Sequence, residues 1–103
     1  MSLDITILDR EDKPLRSVEL GVDEHYSVMA NVEKDRFPLL YRMKDYYEDA
    51  IFTPSEFPAL REELKLLKHQ YDGDPALLGI LDKLTALVDE AGGYDYVIQA
   101  LAD

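Results

Sequence analysis

The sequence predicts an α+β fold, a small antiparallel or mixed sheet covered on one face by about four helices, and three observations carry that prediction. The first residues alternate between apolar and polar with period two. The middle of the chain holds a helix-capping signal followed by apolar residues at spacings of three and four. The end is β-branched and aromatic, and an N-terminal β-hairpin needs such a further strand because two strands alone are marginal in water. At 103 residues the chain is expected to be a single domain, 1–103, with no room for a second. Hydrophobic residues make up 47% of it, ordinary for a globular protein and too many for an acidic disordered tail.

Leu3, Ile5 and Ile7 fall on one face of a first strand, and the β-branched residues favour that conformation. A polar turn ending at Pro14 leads to a second extended run with Val18 and Leu20 on one side, which makes a hairpin. After Gly21, Asp23 can cap a short helix carrying Tyr26, Met29 and Val32 and ending near Lys34 or Asp35. Pro38 suits the first position of another helix, with Leu39, Leu40, Met43 and Tyr47 on one stripe, ending before Ala50.

Thr53-Pro54-Ser55-Glu56 is the best local signal in the chain: Glu56 can reach back to Thr53 in a capping box, and proline suits the first helical position. The helix that follows presents Phe57, Leu60, Leu64, Leu67 and Tyr71, then stops at Asp72-Gly73, where glycine permits a left-handed cap. Asp74-Pro75 opens another helix with Leu77, Leu78, Leu81, Leu84 and Val88 on one face, ended by Gly92-Gly93. The short connection implies an antiparallel pair. Gly79 inside that helix suggests close approach of another backbone. The tail fits a helix through Tyr94, Val97, Ile98 and Leu101, or a strand through Tyr96, Ile98 and Ala100; the hairpin's need for a partner favours the strand.

Asp and Glu number 22 against 11 Lys and Arg, a net charge of −11. Nucleic acid and anionic membrane both bind through clustered Lys and Arg, so neither is an expected partner, and a basic protein is. The acidity is spread along the chain, with 12 acids in residues 1–52 and 10 in 53–103, so it is not an appended tail. The acidic start, with Asp4, Asp9, Glu11 and Asp12, lacks a basic n-region and apolar core, and no apolar run approaches the ~20 residues of a membrane span; the expected compartment is the cytoplasm. Without cysteine there is no disulfide, thiolate ligand or thiol nucleophile.

Catalytic, metal and cofactor sites are not expected. His25 follows Asp23 and Glu24, but neighbours on a helix face different ways and no second histidine lies three or four positions on, so a structural role fits better than a zinc or acid/base one. His69 sits in the last turn of its helix, where an imidazolium meets the dipole favourably. The glycines form no phosphate-binding fingerprint, and the serines lie outside any nucleophile elbow.

The constellation with functional promise is Asp45, Tyr46, Tyr47, Glu48 and Asp49, followed by Ile51 and Phe52. Tyrosine is enriched at binding hot spots and carboxylates steer a basic partner, so these five residues are the expected partner-binding site; a solvated helix end is the plainer explanation. A second acid-only stretch after Lys83 holds Asp89, Glu90, Asp95 and Asp103 around Tyr94 and Tyr96.

The opening Ser2-Leu3-Asp4-Ile5 strand, the central Arg42-Met43-Lys44-Asp45-Tyr46-Tyr47 segment and the Ala102-Asp103 end resemble the small immunity-type proteins of bacterial polymorphic toxin and contact-dependent inhibition systems. They are similar, too, to uncharacterised bacterial proteins of the same layout. The resemblance implies a non-catalytic inhibitor that covers the basic active site of a cognate toxin, such as a nuclease, with acidic and aromatic groups. Two other classes stand beside it. One is an accessory or regulatory subunit, bound to a larger basic protein or to itself through the Phe57 to Tyr71 stripe. The other is a small hydrolase or ligand-binding domain built on His25 and its neighbouring carboxylates.

Overall fold

The computed structural model describes residues 2–45 and 48–102. The fold is α+β, as the sequence predicts. Strands β1 (Ser2–Leu8), β2 (Pro14–Gly21), β3 (Ala50–Phe52) and β4 (Val97–Ala102) form one antiparallel sheet in the order β2-β1-β4-β3. Three α-helices, α1 (Val22–Met29), α2 (Phe57–Gln70) and α3 (Pro75–Tyr94), supply the other layer. Among the described residues no helix is long and apolar enough to cross a membrane.

The alternation in β1 does what it implies: Leu3, Ile5 and Ile7 are buried against the helices together with Leu20, Ile98 and Ala100 from the flanking strands. The tail is a strand, paired with β1 from Leu3↔Ala102 to Leu8↔Val97, so it becomes the second central strand of the sheet. Its partner on the far side was not anticipated. Ala50, Ile51 and Phe52, which follow the helix expected from Pro38 and carry no strand expectation, form β3, because Ala50 and Phe52 bury inward while pairing with Ala100 and Ile98.

The helix expected from Pro38 is correspondingly not formed among the described residues. Only a four-residue 3-10 turn, Leu40–Met43, forms there among them. Its first amides are held from outside by the Glu63 carboxylate, which accepts from Leu39 N at 3.1 Å and Leu40 N at 2.9 Å, and the chain must then extend to enter β3. Helix α1 is also shorter than expected. It is entered from Gly21, with Glu24 Oε1 accepting the Gly21 N–H at 3.1 Å, and ends at Met29. Its buried face is His25, Val28 and Met29, and Tyr26 is 77% exposed, because Val32, which set the expected stripe, lies beyond the helix.

The α2–α3 pair is antiparallel, as the short connection implies. Arg61 pairs with Asp89 and Lys68 with Asp82, so advance along one helix is retreat along the other. Phe57, Leu60, Leu64, Leu67 and Tyr71 are all buried, and the Tyr71 hydroxyl donates to the Val28 carbonyl at 2.6 Å, tying α2 to α1. Gly73 has φ +90° in the connection, and Asp74 Oδ1 accepts from Leu77 N, capping α3. Gly92-Gly93 does not end α3; the helix runs to Tyr94 and stops where Asp95 adopts the left-handed conformation, φ 57°.

No backbone approaches Gly79 either, since an added Cβ meets nothing within 4 Å. Gly79→Ala is therefore expected to stabilise the protein by about 0.5–1 kcal/mol, through the restricted unfolded chain and the better helix propensity. Urea unfolding measures this, and a destabilised variant would mean that something covers this face of α3.

Candidate functional site

Of residues 45–49, which follow the 3-10 turn in sequence and precede β3, the structure describes Asp45, Glu48 and Asp49. His25 Nε2–H donates to the Met43 carbonyl at 2.5 Å, anchoring the end of the 3-10 turn to α1. Lys44 Nζ donates to the Val32 carbonyl at 2.7 Å and lies over the Tyr41 ring. The Glu48 amide donates to the Asp45 carbonyl at 3.2 Å. Asp49 Oδ1 accepts the Ala102 N–H at 3.1 Å, so this carboxylate continues the β3–β4 pairing.

Asp45 and Glu48 are exposed side by side and border a shallow concavity of about 430 Å³ with Tyr41, Arg42 and Lys44. Tyr41 is 40% exposed, which puts an aromatic surface next to the acids. Of the five residues expected to bind a partner, Asp45 and Glu48 have exposed side chains. Asp49 has a structural task as well, and Tyr46 and Tyr47 lie outside the described residues.

Two cations flank these acids, and one of them is already neutralised. Arg42 Nη2 contacts Glu56 Oε2 at 2.5 Å, its Nη1 donates to the Ile51 carbonyl at 3.2 Å, and the guanidinium lies over the Phe52 ring. The Arg42 hydrogen bond, helped by the Thr53 N–H that completes the expected capping box, holds the Glu56 carboxyl down at about 2. Glu56 in turn raises Arg42 above its ordinary value.

A carboxylate depressed in the folded state contributes stability above its unfolded value, here 4.5, and loses it as pH falls toward the folded value. The stability difference between wild type and Glu56→Gln should thus be flat above about pH 5 and vanish near pH 2. Chemical denaturation at stepped pH reads this. A difference that persists unchanged at pH 2 would mean that packing, not charge, sets the effect of Glu56.

The second acid-rich stretch is differently disposed. Asp89 pairs with Arg61 at 2.7 Å and Glu90 with Arg16 at 2.8 Å, while Tyr94 stacks on Tyr96 with centroids 5.4 Å apart. Asp95 caps α3, and Asp103 lies outside the described residues. Asp89 and Glu90 thus tie α3 to α2 and β2.

His25 is buried and bonded to backbone, and Glu24 turns to the Gly21 amide, so the geometry for an acid/base pair between them is not assembled. His69 is exposed near the end of α2. Among the described residues no three His, Asp or Glu side chains converge as metal ligands. The polar residue that sequence reasoning passed over is Glu63, buried at 7% exposure. Its signal was its spacing: position 63 lies three after Leu60 and four before Leu67, inside the apolar stripe.

Comparison with protein-family models, with curated proteins and with solved structures found no match to this chain.

Proposed function

We propose that the protein is a non-catalytic binding domain that docks a basic protein through the segment 45–49, in the manner of an immunity protein covering the active site of a toxin such as a nuclease. One observation supports this reading above the others. Asp45 and Glu48 are exposed and border one concavity with Tyr41, which is 40% exposed. Carboxylates so placed steer a basic partner and the neighbouring Tyr41 supplies buried area on contact.

The reading as an accessory subunit that pairs with itself through the Phe57 to Tyr71 stripe loses that seam, since all five residues are buried within one chain.

Capture of partners from the native host by the tagged protein, at low and then moderate salt, tests the proposal. A basic protein should be recovered, more at low salt because exposed charge attraction is screened. An Asp45→Asn, Glu48→Gln variant should lose it. Equal capture by wild type and variant would remove this segment from the interface.

A further inference from the structure

The two edges of the sheet are not alike. Strand β3 is three residues long and its Ile51 carbonyl is occupied by Arg42. The opposite edge, β2, is eight residues long. The direction of its free groups follows from the hydrogen-bond alternation of antiparallel strands.

Ala102 N–H points toward the β3 side, to Asp49, so Ala100 and Ile98 also face β3 and Gln99 faces β1. Thr6, opposite Gln99, therefore faces β4, and Ile5 and Leu3 face β2 at Val18 and Leu20. That leaves the amides and carbonyls of Ser17, Glu19 and Gly21 turned outward. The Gly21 amide confirms the parity, because it is taken by Glu24 from outside the sheet. At Ser17 and Glu19 no such cover is found among the described residues.

A groove of about 540 Å³ runs between this edge and α3. Five consecutive residues, 16 to 20, line it, those pointing to the helices and those pointing away alike. A groove on a sheet face touches alternate residues only; this one follows the strand edge. At about 3.3 Å per residue, five residues offer roughly 16 Å, enough for a short strand.

The chemistry of the occupant is marked on both sides. Toward α3 the groove offers Val18, Leu20, Ile80 and Leu87, and its cations, Arg16 and Lys83, lie on this helix side, with Arg16 paired to Glu90. On the outer face Glu19 sits directly opposite Asp4, two like charges in register, an arrangement that is unfavourable in a sheet until a cation joins it. A second copy of the chain fits poorly, since it brings another net charge of −11 and another Asp4–Glu19 pair to the same face.

We infer that the free edge of β2 binds an extended segment of a partner protein as a fifth, antiparallel strand, with apolar side chains toward α3 and a basic side chain beside Glu19 and Asp4. Backbone pairing to Ser17 and Glu19 supplies the affinity and the alternating side chains the selectivity. This surface is on the sheet edge opposite residues 45–49 and does not rest on the function proposed for that segment.

The test uses an end-blocked peptide of about ten residues alternating lysine and valine, titrated into the intact protein by calorimetry, with amide exchange followed by NMR. Binding should protect the Ser17 and Glu19 amides. In antiparallel docking the lysine residues share the outer face and the bonded edge with Ser17 and Glu19. N-methylation of the lysine amides should weaken binding by about tenfold or more, and of the valine amides by less than about threefold, as expected for loss of two backbone hydrogen bonds against none.

Neutralising Asp45 and Glu48 should leave this binding in place, which separates the two sites. The inference is overturned if the peptide fails to bind by about 1 mM. Equal weakening by the two methylation patterns, equal binding of a glutamate–valine peptide, or a dimer of the free protein that buries Ser17 and Glu19 would overturn it too.

Discussion

Glu63→Ala is expected to lower the unfolding free energy by about 3 kcal/mol, a large share of the roughly 5–15 kcal/mol typical of such a domain. The carboxylate is buried on α2 and accepts from Leu39 N, through both oxygens, and from Leu40 N. Alanine leaves two buried amides without an acceptor and a void where the carboxylate stood, and each orphaned donor costs about 1–3 kcal/mol. The segment it holds carries Val32, Phe37, Leu39 and Leu40 into the core, so the loss extends beyond one turn. Glu63→Gln keeps one oxygen acceptor and should fall between alanine and wild type. Urea denaturation with a melting shift of roughly 10–20 °C for alanine would agree. An alanine variant within about 0.5 kcal/mol of wild type would show that the amides find other partners.

Phe52→Ala should cost about 3–5 kcal/mol, as large-to-small changes at fully buried aromatic positions do. Phe52 is 0% exposed and is the main side-chain anchor of a strand only three residues long. Hydrogen exchange distinguishes detachment of β3 from general loosening. The amides of Ile98 and Ala100, which face β3, should lose protection first, while Gln99 and Leu101, which face β1, should keep theirs. Uniform loss along β4 would contradict this. Because Glu48 and Asp49 lead directly into β3, the same variant should also weaken the partner capture proposed above.

These two residues show where the sequence could be read and where it could not. Leu3, Ile5 and Ile7, the Thr53–Glu56 box, the α2 stripe and the Asp74 cap were legible because each is decided by neighbours within one element. The stretch from Pro38 to Phe52 was not. Its helical spacing is overruled by contacts from far along the chain, Glu63 capping its amides and β4 pairing with Ala50 and Phe52. The glycines at 92 and 93 misled for the opposite reason: a helix begun by a strong cap and packed through Leu84, Leu87, Val88 and Ala91 carries on through two poor helix formers.

The residues expected to bind a partner are adjacent in sequence, but what each does in the fold depends on tertiary contacts. Asp49 bonds Ala102 and Glu56 neutralises Arg42, neither of which follows from the acidity of the segment alone.

The most direct measurement is the association rate of the captured basic partner as a function of ionic strength, for wild type and for Asp45→Lys, Glu48→Lys. If the segment steers the encounter, the wild-type rate falls steeply with salt, and charge reversal lowers it by about tenfold or more at low salt while the dissociation rate changes less. An association rate that is the same for both proteins across the salt range would contradict the account and place the partner elsewhere on the molecule.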